Sequence, residues 1–151
     1  NEVRYLYLQA NPVIWFSVVF AMILAVSLLI SKFVFGLQIK DRRLFYLIGV
    51  FSAMYLSYMI TMFNISRVMY LYHYFIALFF GAFVLFLLFN YIFKEQIEQG
   101  SKILHAAVIL FVAEVIFTYY WFAPFTYYQP LTTMEFMDRV WFDFWKLKPI
   151  I

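Results

Sequence analysis

The sequence predicts an all-α membrane protein: four antiparallel transmembrane helices followed by an aromatic, interfacial C-terminal tail. Three observations predict it. Of the 151 residues, 67% are hydrophobic and 25% aromatic, and the mean hydropathy is +0.87, outside the range of soluble domains. Runs of about 20 apolar residues, the length a helix needs to cross the hydrocarbon core, recur four times. Finally, runs such as FSVVFAMILAVSLLI are apolar on every side, whereas barrel strands alternate over about ten residues, so the spans are helical.

The spans lie near residues 12–35, 44–63, 69–93 and 103–122, within a transmembrane domain of residues 1–122. Their connections, GLQIKDRR, NISR and KEQIEQGSK, are short and polar, so consecutive spans run antiparallel. The first and third connections share one side with Lys40, Arg42, Arg43, Lys94 and Lys102, and Lys32 is close by. The other side holds Arg4, Arg67, Arg139, Lys146 and Lys148. Lys146 and Lys148 are far from a span end and weigh little, so the cation bias puts both termini and the NISR link on the extracytoplasmic face. Asn64-Ile65-Ser66 fits the glycosylation pattern, but so tight a link holds the asparagine against the bilayer, and the match is read as chance.

Residues 123–151 form the extracytoplasmic tail, with three prolines and many aromatics but no further span. Tryptophan and tyrosine favour the interface, and MEFMDRVWFDFW suits a short amphipathic helix with Phe136, Val140 and Phe144 at four-residue spacing. The chain begins with Asn, and neither a signal peptide nor a transit sequence is legible; a fragment or a processed piece is expected. No cysteine is present, which excludes disulfides and thiolate metal sites. Two distant histidines make no metal cluster. The net charge of +3 sits in loops and tails, favouring anionic lipid heads over nucleic acid.

Polar groups inside the spans carry the functional reading. At 100° per residue, Arg67, Tyr70, His73, Tyr74, Ala77 and Gly81 fall on one face of the third span. Ala77 and Gly81 are a small-xxx-small pair that lets a helix approach closely, so this face is expected to meet protein or a water-filled cavity. Alternatively, Arg67 snorkels to lipid phosphates. His73, roughly 9 Å deeper, needs a partner, either as a structural hydrogen bond or in substrate binding. Glu114, roughly 12 Å inside the predicted end of the fourth span, must be paired or protonated. His73 is its expected partner, directly or through Tyr119 or water; a neutral acid bonded to backbone or a tyrosine is the alternative. The tyrosines and phenylalanines as a set read as packing and interfacial belts, and the methionines as gap fillers.

Four motifs in order resemble the C-terminal membrane region of the protein O-mannosyltransferases. R-x-x-Y-L-Y-H-Y, Arg67 to Tyr74, is similar to the family's R-x-x-F-L-Y-H-Y, and NPVIWF, Asn11 to Phe16, to its N-P-V-I-W-W. FAPFTYYQPL, Phe122 to Leu131, resembles F-A-P-L-T-Y-G-x-P-L, and DRVWFDFW resembles the R-M-W-L-x-x-W ending. Three departures stand out: Tyr128 where the family tends to have glycine, Phe16 for a tryptophan, and Phe75-Ile76 where leucine and proline would follow. Without that proline the third helix is expected to run straighter.

The resemblance implies one region of a GT-C type glycosyltransferase that moves mannose from a polyprenyl- or dolichyl-phosphate donor to protein Ser/Thr. Its acidic catalytic pair would lie outside this chain, which holds no catalytic residue of its own. Arg67 is the first candidate for the lipid phosphate and Arg139 the second, with His73, Tyr70 and Tyr74 positioning; Asn11, Trp15, Glu114 and Trp141 are expected at the pocket wall or interface. Metals and further cofactors are not expected. Partners would be membrane lipid and lipid-linked sugar, a protein acceptor, and the N-terminal part of the transferase or another membrane subunit, in a bacterial inner membrane or the endoplasmic reticulum. Two competing readings are an accessory subunit packing through its Ala77–Gly81 face, and a transporter fragment relaying protons through Glu114 and His73.

Overall fold

The computed structural model describes residues 2–4, 6–7, 10–65, 71–142 and 145. In chain order the elements are β1 (Glu2–Arg4), α1 (Pro12–Phe35), α2 (Arg42–Phe63), a 3-10 turn (Leu71–Tyr74), α3 (Phe75–Ile92), α4 (Lys94–Glu98), α5 (Lys102–Thr126), β2 (Pro130–Thr132) and α6 (Thr133–Asp138). Helices α1, α2, α3 and α5 are long and apolar enough to cross a membrane, which makes this an all-α integral membrane protein. The chain forms two compact units, one of residues 14–109 and one of residues 1–13 with 110–151.

In the unit of residues 14–109, three helices bury stripes at alternating spacings of three and four. Val18, Met22 and Ala25 on α1, Ile48, Ser52 and Tyr55 on α2, and Ala77, Val84, Leu88 and Tyr91 on α3 are all buried. Gly81 completes the α3 stripe. Such spacing aligns side chains along a helix–helix seam. Lipid tails are as apolar as leucine, so small residues that permit close backbone approach mark the seam instead of hydrophobicity. Gly81 shows how close that approach is: a Cβ there would overlap Val18 Cγ1 and lie 3.3 Å from Tyr55 Cε2. The Ala77–Gly81 face is thus filled by α1 and α2, which corrects the accessory-subunit reading that would have spent it on another protein.

The first and third connections meet through two ion pairs. Asp41 caps α2 by accepting the Leu44 N–H at 3.0 Å, and its other carboxylate oxygen takes the Lys94 ammonium at 2.8 Å. Lys40 and Glu95 pair at 3.2 Å beside it, both largely exposed. The capping bond matters more than the outer pair, because exposed ion pairs contribute little.

The third span differs from its predicted form. Residues 71–74 wind as a 3-10 turn and the α-helix begins at Phe75, so a 100° wheel does not hold across the polar stretch. Two causes are visible: consecutive bulky aromatics are mediocre helix formers, and the Tyr58 hydroxyl gives the His73 carbonyl a donor from outside the helix at 2.7 Å.

The unit of residues 1–13 and 110–151 has its own small core of Phe122, Phe125, Leu131 and Phe136, with Trp121, Val140 and Trp145 against it. Helix α5 runs four residues past its predicted end, with Pro124 in the last turn. Proline cannot donate to the preceding turn, yet Phe122 and Phe125 are buried on either side of it and hold the helix on course. Two further bonds, Tyr127 N–H to Ala123 O and Gln129 N–H to Pro124 O, wind the chain off its end. The structure adds a short ladder that the sequence did not announce. β1 pairs antiparallel with β2, Glu2 opposite Thr132 and Arg4 opposite Pro130. Next in the chain, α6 starts with a capping box between Thr132 and Glu135.

Candidate functional site

The polar stretch at the head of α3 is where chemistry-bearing side chains gather in the larger unit. Arg67 and Tyr70 lie outside the described residues. The turn that follows them is held by α1 and α2. Tyr74 and Tyr55 join hydroxyls at 2.7 Å, their rings edge to face at 6.5 Å. The Trp15 ring lies against Tyr74, centroids 4.8 Å apart. Tyr58 donates to the His73 carbonyl. Tyr74 therefore packs against Tyr55 of α2 and Trp15 of α1.

One group in this wall is unsatisfied. The Trp15 indole N–H is buried and has no acceptor among the described residues, unusual for a buried donor. Tyr55 and Tyr58, which complete the wall, were not singled out from the sequence. Their three-residue spacing on α2 puts both hydroxyls on one side of that helix. Thirteen tyrosines in the chain hide such a pair unless the partner helix is known.

Arg139, the second phosphate candidate, belongs to the smaller unit. Its Nε donates to the Trp121 carbonyl at 2.9 Å and its Nη1 to the Glu135 carbonyl at 2.7 Å. The guanidinium carbon stands 4.8 Å from the Trp121 ring centroid, a cation–π distance. The side chain thus ties α6 to the end of α5. Glu135, whose carboxylate accepts the Thr132 backbone N–H and hydroxyl, is held below the usual carboxylate range, first by that backbone bond.

Asn11 uses both ends of its amide on backbone. Its Oδ1 accepts the Val13 N–H at 3.1 Å, capping α1 ahead of Pro12, and its Nδ2 donates to Val115 O at 2.9 Å. An asparagine cap before a proline in the first turn is a favourable helix start. Trp141 is 44% exposed with its ring against Phe122 at 4.8 Å, which suits a belt position. Glu114 is exposed on α5, and it and His73 fall in different units. No group of three metal-ligating side chains occurs among the described residues.

The family described as the C-terminal four TMM region of protein-O-mannosyltransferase matches residues 1–145. No match was found among curated proteins or solved structures. Four helices of spanning length, joined by short links and matched over nearly the whole chain, lead to one assignment: this chain belongs to the protein O-mannosyltransferase family, as its C-terminal four-transmembrane-helix region.

Proposed function

We propose that this region helps bind the polyprenyl- or dolichyl-phosphate-mannose donor of an O-mannosyl transfer to protein Ser/Thr. The observation that carries the reading is the wall of Trp15, Tyr55, Tyr58 and Tyr74 behind the 3-10 turn. That turn directly follows the residues that include Arg67. In a glycosyl transfer with a lipid phosphate leaving group, negative charge grows on the phosphate as the sugar departs, and a cation fixed at headgroup level stabilises it. Arg67 supplies that cation in this reading, and the apolar helices flank the polyprenyl tail. Tyr70, His73 and Tyr74 orient the head. The acid–base pair for the acceptor hydroxyl comes from another part of the transferase. Donor and acceptor then meet on the extracytoplasmic side, with both termini of this region on that face.

The test is mannosyl transfer from polyprenyl-phosphate mannose in membranes carrying the intact assembly. Arg67→Ala is expected to lower the rate by about 100-fold, the effect of removing one charge-stabilising donor, while Arg67→Lys keeps part of it. An unchanged rate in normally expressed Arg67→Ala would take Arg67 out of the donor site.

A further inference from the structure

Helix α5 spans 25 residues, and Glu114 is the thirteenth of them. It therefore lies about 18 Å from either end at 1.5 Å per residue, deeper than the sequence alone indicated, because the helix extends to Thr126. Its two-methylene side chain cannot reach either interface from there. Leu110, Glu114 and Phe117 lie within about 60° of one another on the helical wheel, and Leu110 and Phe117 are 70% and 62% exposed. Further along the same side, Phe125 is fully buried in the tail core. So one flank of α5 is covered at its outer end and bare at mid-span, and the carboxyl sits in the bare part. Among the described residues the ion pairs join Lys40 to Glu95 and Lys94 to Asp41. At Glu114 the bond made is Thr118 Oγ1 to its main-chain carbonyl, which leaves the carboxyl to other partners.

An exposed apolar flank alone would be satisfied by lipid. A carboxylate at the centre of that flank is not, because acyl chains offer neither a donor nor a countercharge. We infer that the Leu110–Glu114–Phe117 flank of α5 is the seat of another transmembrane helix of the transferase, one that presents an arginine, lysine or histidine at mid-bilayer depth to Glu114. Charge complementarity selects the occupant, and the two exposed apolar side chains, one turn to either side of the carboxyl, supply the packing that orients it. The inference rests on this chain being one region of a larger transferase, and it is independent of where the donor phosphate binds.

The experiment places a photoreactive benzoyl-phenylalanine at Leu110 of the intact assembly in native membranes and maps the cross-linked peptides by mass spectrometry. The expected product joins Leu110 to a helix outside residues 1–145, within one turn of a basic side chain. Glu114→Lys is expected to cut its yield by at least about tenfold through like-charge repulsion, and Glu114→Gln, which can still accept a hydrogen bond, to reduce it less. Products with lipid alone, with these four spans or with a second copy of the chain would overturn the inference. So would an undiminished yield in Glu114→Lys. Should the cross-link form while Arg67→Ala transfers mannose normally, the donor reading fails and this one stands; the reverse result separates them the other way.

Discussion

Tyr128 joins a departure in sequence to a strain in structure. The motif it resembles carries glycine at this position, and here the tyrosine has φ 54, the left-handed region that costs an L-residue about 1 kcal/mol or more. Its ring is 51% exposed, so little packing would be lost by removing it. Tyr128→Gly is therefore expected to stabilise the tail by about 1 kcal/mol, offset in part by the greater freedom of an unfolded glycine. A thermal melt in detergent micelles that moved down would refute the argument. The motif comparison found the position; only the backbone angle explained why glycine suits it. Arg139 teaches the reverse. Its place in the motif marked it out, but not that two of its N–H groups bond main-chain carbonyls, since those partners come from residues 18 and 4 positions away.

Among elements, α1 and α3 come close at Gly81, where Val18 of α1 faces the glycine. Gly81→Ala puts a methyl group into Val18 Cγ1, and overpacking of this kind costs about 1–3 kcal/mol. Truncating the opposing residue should relieve it, so the double variant Gly81→Ala with Val18→Ala is expected to be more stable than Gly81→Ala alone. The readout is the thermal midpoint of each purified variant; equal midpoints for the single and double variants would mean that the crossing is looser than described. The small-xxx-small spacing made Gly81 legible beforehand, whereas Val18 was one apolar letter in a run of them. An all-round apolar helix carries no periodic mark of its buried face, so the seam becomes visible only when its neighbours are placed. The polar head of α3 was legible as a patch, but its winding was not, since the Tyr58 hydroxyl that helps fix it comes from another helix.

At the scale of the whole molecule, the connections carry the pH dependence. The Lys94 ammonium beside Asp41, followed by the Leu44 N–H, holds the Asp41 carboxyl below its ordinary value, and Asp41 in turn raises that of Lys94. A carboxyl depressed on folding adds stability that is complete above the unfolded value, about 4, and is lost as pH falls through the lower folded value. The thermal midpoint should therefore hold steady from neutral pH down to about 5 and drop below about 4. Glu135, also depressed, adds to the drop. Asp41→Asn is expected to lower the midpoint at neutral pH and to make the acid decline shallower; an identical acid profile would show that this latch does not contribute. Glu114 belongs to this scale as well: among the described residues no ion pair reaches it, which is the ground for proposing a further helix beside it.

By itself the sequence determined the solvent in which this chain folds, the number of its spans, their antiparallel order and the family to which they belong. Those follow from runs long enough to cross hydrocarbon, from links too short for anything but a reversal, and from motif letters in series. Tertiary structure decided which side of each helix is inside, that Tyr55, Tyr58 and Trp15 stand behind Tyr74, that the N-terminal segment pairs with the tail, and that Glu114 is bare at mid-span. The physical reason is that apolarity here is nearly uniform around each helix: it fixes depth in the bilayer, while orientation depends on hydroxyls, small residues and charges whose partners are far away in the chain.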